Sequence, residues 1–118
     1  MAKVLVVDDV TADAEVWSAV LQRDGHEVVT ASDGAAALRA CDRFLPDLVI
    51  TDLELPPPHG LAIIERLHAV GADVRIIAMS GSDEALHAAR RLGVFTALRK
   101  PITLREFIAA THSALGAA

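Results

Sequence analysis

The amino-acid sequence predicts one α/β domain over residues 1–118, built on a doubly wound parallel sheet of five strands in the order 2-1-3-4-5. Three observations carry this expectation. Five short apolar runs recur along the chain, each followed by a longer stretch with helical spacing. The runs Val4–Val7, Leu48–Thr51 and Val74–Met79 are almost continuously apolar instead of alternating, as strands covered by helices on both faces must be. No change of composition and no Gly/Ser-rich linker divides the chain, and right-handed crossovers then leave few topologies open.

Each element has its own signals. The first run, Val4–Val7, is ended by Asp8. From about Thr11 to Arg23, Val16, Val20 and Leu21 share one helical face, and Gly25 is placed to end that helix. Glu27–Thr30 forms the second strand. Ser32 or Asp33 caps the next helix, where Ala36, Ala37, Ala40 and Cys41 make a face of small residues. After Leu48–Thr51, the run Pro56-Pro57-Pro58 stiffens the loop, and a third helix is expected from Gly60 to Val70 with a stop at Gly71. Val74–Met79 is the fourth strand, and Ser82 or Asp83 opens a helix that ends near Leu92 and Gly93. Val94–Leu98 is the fifth. Thr103 caps the last helix, which points Leu104, Phe107, Ile108 and Leu115 towards the core.

Composition narrows the function. With 53% hydrophobic residues but only three Phe, one Trp and no Tyr, the core must be built from aliphatic side chains and alanine. The single cysteine, Cys41, allows no internal disulfide and suits a reducing compartment. A net charge of −5 argues against direct nucleic-acid binding, which needs a basic surface. No secretory signal and no apolar run of about 20 residues is present, so the expectation is a cytoplasmic chain without membrane contact.

In a doubly wound sheet, the functional crevice lies beyond the carboxyl ends of the strands where the strand order reverses, here between strands 1 and 3. What ends each strand is therefore informative. Strand 1 ends in Asp8-Asp9, strand 3 in Thr51-Asp52, strand 4 in Ser80-Gly81, and strand 5 in Lys100-Pro101. Taken singly, these are ordinary cap, turn and loop residues. Together they bring three carboxylates, a hydroxyl and an ammonium to one rim. Two carboxylates about 4 Å apart repel by about 4 kcal/mol at an effective dielectric of 20. A hard divalent cation relieves that repulsion, and oxygen-only donors suit Mg²⁺. The bound ion also lets a phosphoryl group approach an acidic site.

These residues mark a resemblance along the whole chain to the response-regulator receiver domains of two-component signalling, with their flavodoxin-like (βα)5 fold. The matching landmarks are Val4-Leu5-Val6-Val7-Asp8-Asp9, Gly25-His26-Glu27-Val28, Ala31-Ser32-Asp33-Gly34 and Pro46-Asp47-Leu48-Val49-Ile50-Thr51-Asp52. Pro56, Gly60, Ser80 and Lys100-Pro101 complete them. The resemblance implies that Asp52 accepts a phosphoryl group from a histidine kinase or phosphotransfer protein. It implies Mg²⁺ held by Asp9, by Asp8 partly through water, by Asp52 and by the backbone carbonyl of Glu54. Lys100 would pair with Asp52 or its phosphoryl group, and the Lys100-Pro101 bond would be cis. Ser80 would donate to a phosphoryl oxygen and so switch the face formed by the fourth helix, fifth strand and fifth helix, to control a protein partner. The chain would act as a monomer or weak dimer and would catalyse only its own phosphorylation and dephosphorylation.

Three positions depart from the family's pattern. The aromatic residue expected three positions before Lys100 is Ala97, and Phe95, two residues earlier, is either a substitute for it or an ordinary packing residue. Glu54 puts a carboxylate two residues after Asp52, and Pro57 and Pro58 extend the usual single proline. Trp17 is expected to pack, and the five histidines, His59 included, to lie on the surface, as does the pair Arg90-Arg91. Two other readings stay open. One is a pseudo-receiver that binds proteins without phosphorylation. The other is a haloacid-dehalogenase-like phosphohydrolase, which normally has an Asp where Glu54 stands.

Overall fold

A computed structural model, which describes residues 2–56, 58–69 and 73–116, shows strand and helix alternating as the sequence predicts. The elements are β1 (Lys3–Val7), α1 (Thr11–Arg23), β2 (Glu27–Ala31), α2 (Gly34–Phe44) and β3 (Leu48–Asp52). They continue as α3 (Gly60–Ala69), β4 (Arg75–Ser80), α4 (Asp83–Arg91), β5 (Thr96–Arg99) and α5 (Leu104–Ala114). All strand pairs are parallel, in the order β2-β1-β3-β4-β5. The fifth strand starts two residues later than expected. The expected helix stop at Gly71, and Pro57, lie outside the described residues.

The core forms two layers because side chains alternate along each strand. Leu5, Val7, Val49, Ile76, Ala78 and Ala97 face α2, α3 and α4, where Cys41, Ile64 and Leu86 meet them. Val4, Val6, Leu48, Ile50, Ile77 and Met79 face α1 and α5. There Phe107 is fully buried and stacks on Trp17, with ring centroids 4.3 Å apart. Central strands β1, β3 and β4 are buried almost end to end, whereas edge strands β2 and β5 are only partly covered. Among the described residues, no helix is long and apolar enough to cross a membrane.

The open choices of cap are settled by hydrogen bonds. Asp33 Oδ1 accepts the Ala36 N–H at 2.7 Å, Ser82 Oγ accepts that of Ala85 at 3.2 Å, and Thr103 Oγ1 that of Glu106 at 3.1 Å. Gly25 follows α1 with φ +88°, a left-handed conformation that glycine adopts without strain. The end of α2 was not foreseen: Leu45 itself takes the left-handed conformation, at φ 53°.

Two expected core positions are exposed, Val16 at 52% and Leu104 at 51%. On α1 the buried positions are Ala14 and Leu21, one heptad apart, which turns Val16 outward. On α5 the buried positions begin only at Phe107, one turn after Leu104. The difference is measurable by urea denaturation. Phe107→Ala removes a fully buried ring and should cost about 3–5 kcal/mol. Leu104→Ala should change stability by less than about 0.5 kcal/mol.

Candidate functional site

The parallel registers assemble the site. Val7 pairs with Thr51, so the residues that follow, Asp8 and Asp52, stand side by side across the β1–β3 crevice. Asp52 also pairs with Met79, and Ser80 with Arg99, which brings the ends of β4 and β5 to the same rim. Carboxylate oxygens of Asp8, Asp9 and Asp52 lie within 4.8 Å of one another. Asp8 and Asp52 are both 2% exposed, while Asp9 faces solvent.

Each buried carboxylate is tied down. Asp52 Oδ2 receives the Lys100 ammonium at 2.9 Å, and its Oδ1 accepts the Glu54 N–H at 3.0 Å. Asp8 Oδ1 accepts the Val10 N–H at 2.9 Å. Burial works against the Lys100 charge, yet the hydrogen bond and charge of Asp52, with Asp8 and Glu54 behind it, outweigh burial and raise its pKa. For Asp8 the largest effect is burial, which raises the pKa; the Val10 N–H opposes it and the Asp52 charge adds to it.

Backbone geometry holds the rim in place. Lys100 N–H donates to the Ser80 carbonyl at 2.8 Å, and the Lys100-Pro101 peptide is cis, as the resemblance implies. Ser80 is fully buried, and its hydroxyl oxygen accepts the Ser82 N–H at 2.9 Å. Gly60, at the start of α3, sits directly under the site. A Cβ there would come within 2.5 Å of the Asp52 carbonyl oxygen and 2.7 Å of the Leu53 Cα, both unyielding backbone.

Asp8, Asp9, Asp52, Ser80, Lys100 and the Glu54 backbone are therefore brought together. Phe95 is not among them. It is 44% exposed, and its N–H bonds to the Ile76 carbonyl, near the opposite end of β4 from Ser80. The Arg75 guanidinium lies 5.0 Å from its ring centroid. Phe95 thus stands away from the site as a packing residue at the surface, and Ala97 is buried in the α2–α4 layer. His59 is exposed and its Nδ1 donates to the Leu55 carbonyl at 2.8 Å. Arg90 and Arg91 are exposed. One contact escaped the sequence reading: Glu54 Oε1 accepts the Gly81 N–H at 2.9 Å.

Comparison with known proteins agrees with this geometry. The response regulator receiver domain family matches residues 4–112. Among curated relatives, the DNA-binding transcriptional regulator NtrC of Azospirillum brasilense is 38% identical over 97% of this chain, which covers 24% of that protein. Sporulation initiation phosphotransferase F of Bacillus subtilis is 28% identical, with 88% of this chain and 86% of that one covered. Apart from that protein, the chain spans only part of its first curated relatives, 24% of NtrC and 46% of a receiver protein of Anaeromyxobacter. A solved receiver-domain structure from Clostridium thermocellum superposes with a TM-score of 0.90 at 30% identity, covering 98% of this chain and 95% of that one. The chemotaxis regulator CheY4 of Vibrio cholerae does so with a TM-score of 0.89 at 26% identity, covering 97% and 98%. With the strand order, the acidic crevice and the Lys100–Asp52 pair all in register with that match, the chain belongs to the response regulator receiver domain family.

Proposed function

We propose that this chain is a cytoplasmic phosphorylation switch in which Asp52 takes a phosphoryl group from the phosphohistidine of a histidine kinase or phosphotransfer protein, with Mg²⁺ bound alongside. The observation that carries the reading is Asp52 itself. It is a buried carboxylate held between the Lys100 ammonium and a backbone N–H, in a group of three carboxylates with oxygens within 4.8 Å.

The donor set fits the metal. All three side chains offer hard oxygen, no His or Cys joins them, and the raised pKa of Asp8 reflects burial and negative charge that the local donors leave uncompensated. Asp8, Asp9, Asp52 and the Glu54 carbonyl would hold the ion. When bound, Mg²⁺ neutralises charge on the transferring phosphoryl oxygens.

The protein's own part is positioning and electrostatics. One Asp52 carboxylate oxygen attacks phosphorus, a P–O bond forms, the P–N bond breaks, and the electron pair leaves with the imidazole nitrogen. Lys100 and the Glu54 N–H keep the carboxylate aimed, and water later cleaves the same acyl phosphate. The phosphoryl group carries nearly two negative charges where the Asp52 carboxylate carried one, and it brings new acceptor oxygens. Ser80 would leave the Ser82 N–H to donate to one of them, pulling the loop after β4 and shifting the populations of the α4–β5–α5 face. That face carries a groove between β5 and α5 lined by Phe95, Leu98, Ala109 and Ala110, apolar surface available to a protein partner. The chain acts as a monomer or weak dimer and turns over no separate substrate. Binding of nucleic acid, which the NtrC relative's name states of that protein, would belong to residues other than these.

Intact-mass spectrometry with acetyl phosphate and Mg²⁺ tests the reading. A phosphate-sized gain that needs Mg²⁺ and vanishes in Asp52→Asn is expected; no gain, with beryllofluoride also failing to bind, would support a pseudo-receiver instead. The crowded charge gives two further expectations, both read as Tm. Because folding raises the Asp8 pKa, its ionisation opposes folding, and that penalty is present at neutral pH and lost as pH falls through its folded pKa. Asp8→Asn should therefore raise the Tm of the metal-free chain at pH 7. The gain should vanish in acid. Added Mg²⁺ should raise the Tm of the unaltered chain and not that of Asp9→Asn.

A further inference from the structure

Among the described residues, a single side-chain hydrogen bond ties the loop after β3 to the loop after β4 beside Asp52, from the Gly81 N–H to Glu54 Oε1 at 2.9 Å. Glu54 is anchored at its other end by the N–H that it donates to Asp52 Oδ1. The loop after β4 offers two further polar groups at this rim, the Ser80 hydroxyl and the Ser82 N–H, and they bond to each other at 2.9 Å. The Ser80 oxygen and the Ser82 N–H are thus occupied within the loop, while the Gly81 N–H is held from outside it. Neither end of the contact needs it for packing: Glu54 and Gly81 are both exposed, and a Cβ added at Gly81 would meet only Glu54 Oε1, at 4.0 Å.

We propose that Glu54 is a positioning residue whose carboxylate stands in for the phosphoryl group, holding the Gly81 N–H and the loop after β4 until a phosphoryl group on Asp52 displaces it. The inference rests on reading Asp52 as the phosphoacceptor. Its physics is competition between two anions at one rim. A phosphoryl group carries nearly two negative charges and strong acceptor oxygens, so it repels the neighbouring carboxylate and is the stronger claimant for a free N–H. The Glu54 bond stabilises only the unphosphorylated arrangement, and a contact made in one state alone biases the equilibrium towards that state. Lys100 lies within electrostatic reach of Glu54, so loss of the Glu54 charge also leaves the Lys100 ammonium more fully available to the incoming group.

The test uses the full chain with Glu54→Gln and Glu54→Ala, beryllofluoride as the phosphoryl probe, and saturating Mg²⁺. Fluorine NMR reads the affinity and amide NMR reads the Gly81 proton. Without beryllofluoride, the Gly81 amide proton should move upfield in Glu54→Ala, because a hydrogen bond to a carboxylate is lost. Glu54→Ala should bind beryllofluoride at least about fivefold tighter than the unaltered chain, the lower end of ordinary two-site coupling. Glu54→Gln, which keeps an acceptor and loses the charge, should fall between the two, and the phosphorylated lifetimes should follow the same order. An unmoved Gly81 resonance, or a Glu54→Ala chain that binds no tighter than the unaltered one, overturns the proposal while leaving Asp52 as phosphoacceptor. An unaltered chain that neither binds beryllofluoride nor is phosphorylated at Asp52 overturns both readings.

Discussion

The parallel pairing of β1 with β3 is the constraint on which the rest of the molecule depends. With Val7 opposite Thr51, each strand ends in a carboxylate at the same height, and Asp8 and Asp52 cannot avoid each other. The order β2-β1-β3 makes this pair the point where the chain reverses its direction across the sheet, so no helix closes over it. Negative charge is concentrated where the fold leaves an opening. Everything nearby answers that concentration: the Lys100 ammonium, the Val10 and Glu54 amides, and the donor set suited to a divalent cation.

The site is supported by backbone as much as by side chains. Gly60 lets α3 begin against the Asp52 carbonyl, a closeness that any Cβ would prevent. The Ser80 carbonyl holds the Lys100 N–H, so the ammonium that pairs with Asp52 is anchored to the strand beside it. The loop after β4 is held more lightly, through Ser80–Ser82 and Glu54–Gly81 bonds among mostly exposed groups. A rigid acceptor beside a lightly held loop is what a two-state element needs, since local opening free energies are small where contacts are few and exposed.

Much of this was legible in the residues. Val/Ile-rich runs gave the strands, and the residues that end them, Asp8, Asp9, Asp52, Ser80 and Lys100, converge once the order 2-1-3-4-5 is adopted. Other features were not legible. Helical spacing groups Val16 with Val20 and Leu21, but which part of that face meets the sheet depends on how α1 lies across it, and Val16 ends exposed. The same holds for Leu104, one turn before α5 is covered. Phe95 lies two residues before Ala97, yet it falls before β5 begins and meets Arg75 at the far end of β4. The Glu54–Gly81 bond joins residues 27 positions apart through a side-chain rotamer, and no local pattern encodes it.

What the sequence determined by itself is the set of elements, their buried or exposed character, and the chemistry placed at each strand end. These follow from residue type and from periods of two and 3.6, which neighbouring residues carry between them. Only the tertiary structure decided how close the carboxylates come, which oxygen of Asp52 faces Lys100, that Phe95 stands away from the site, and that Glu54 reaches Gly81. Those outcomes depend on strand register, helix orientation and side-chain rotamer across long stretches of chain. They are set by packing, where many contacts are satisfied together and no single segment specifies the result.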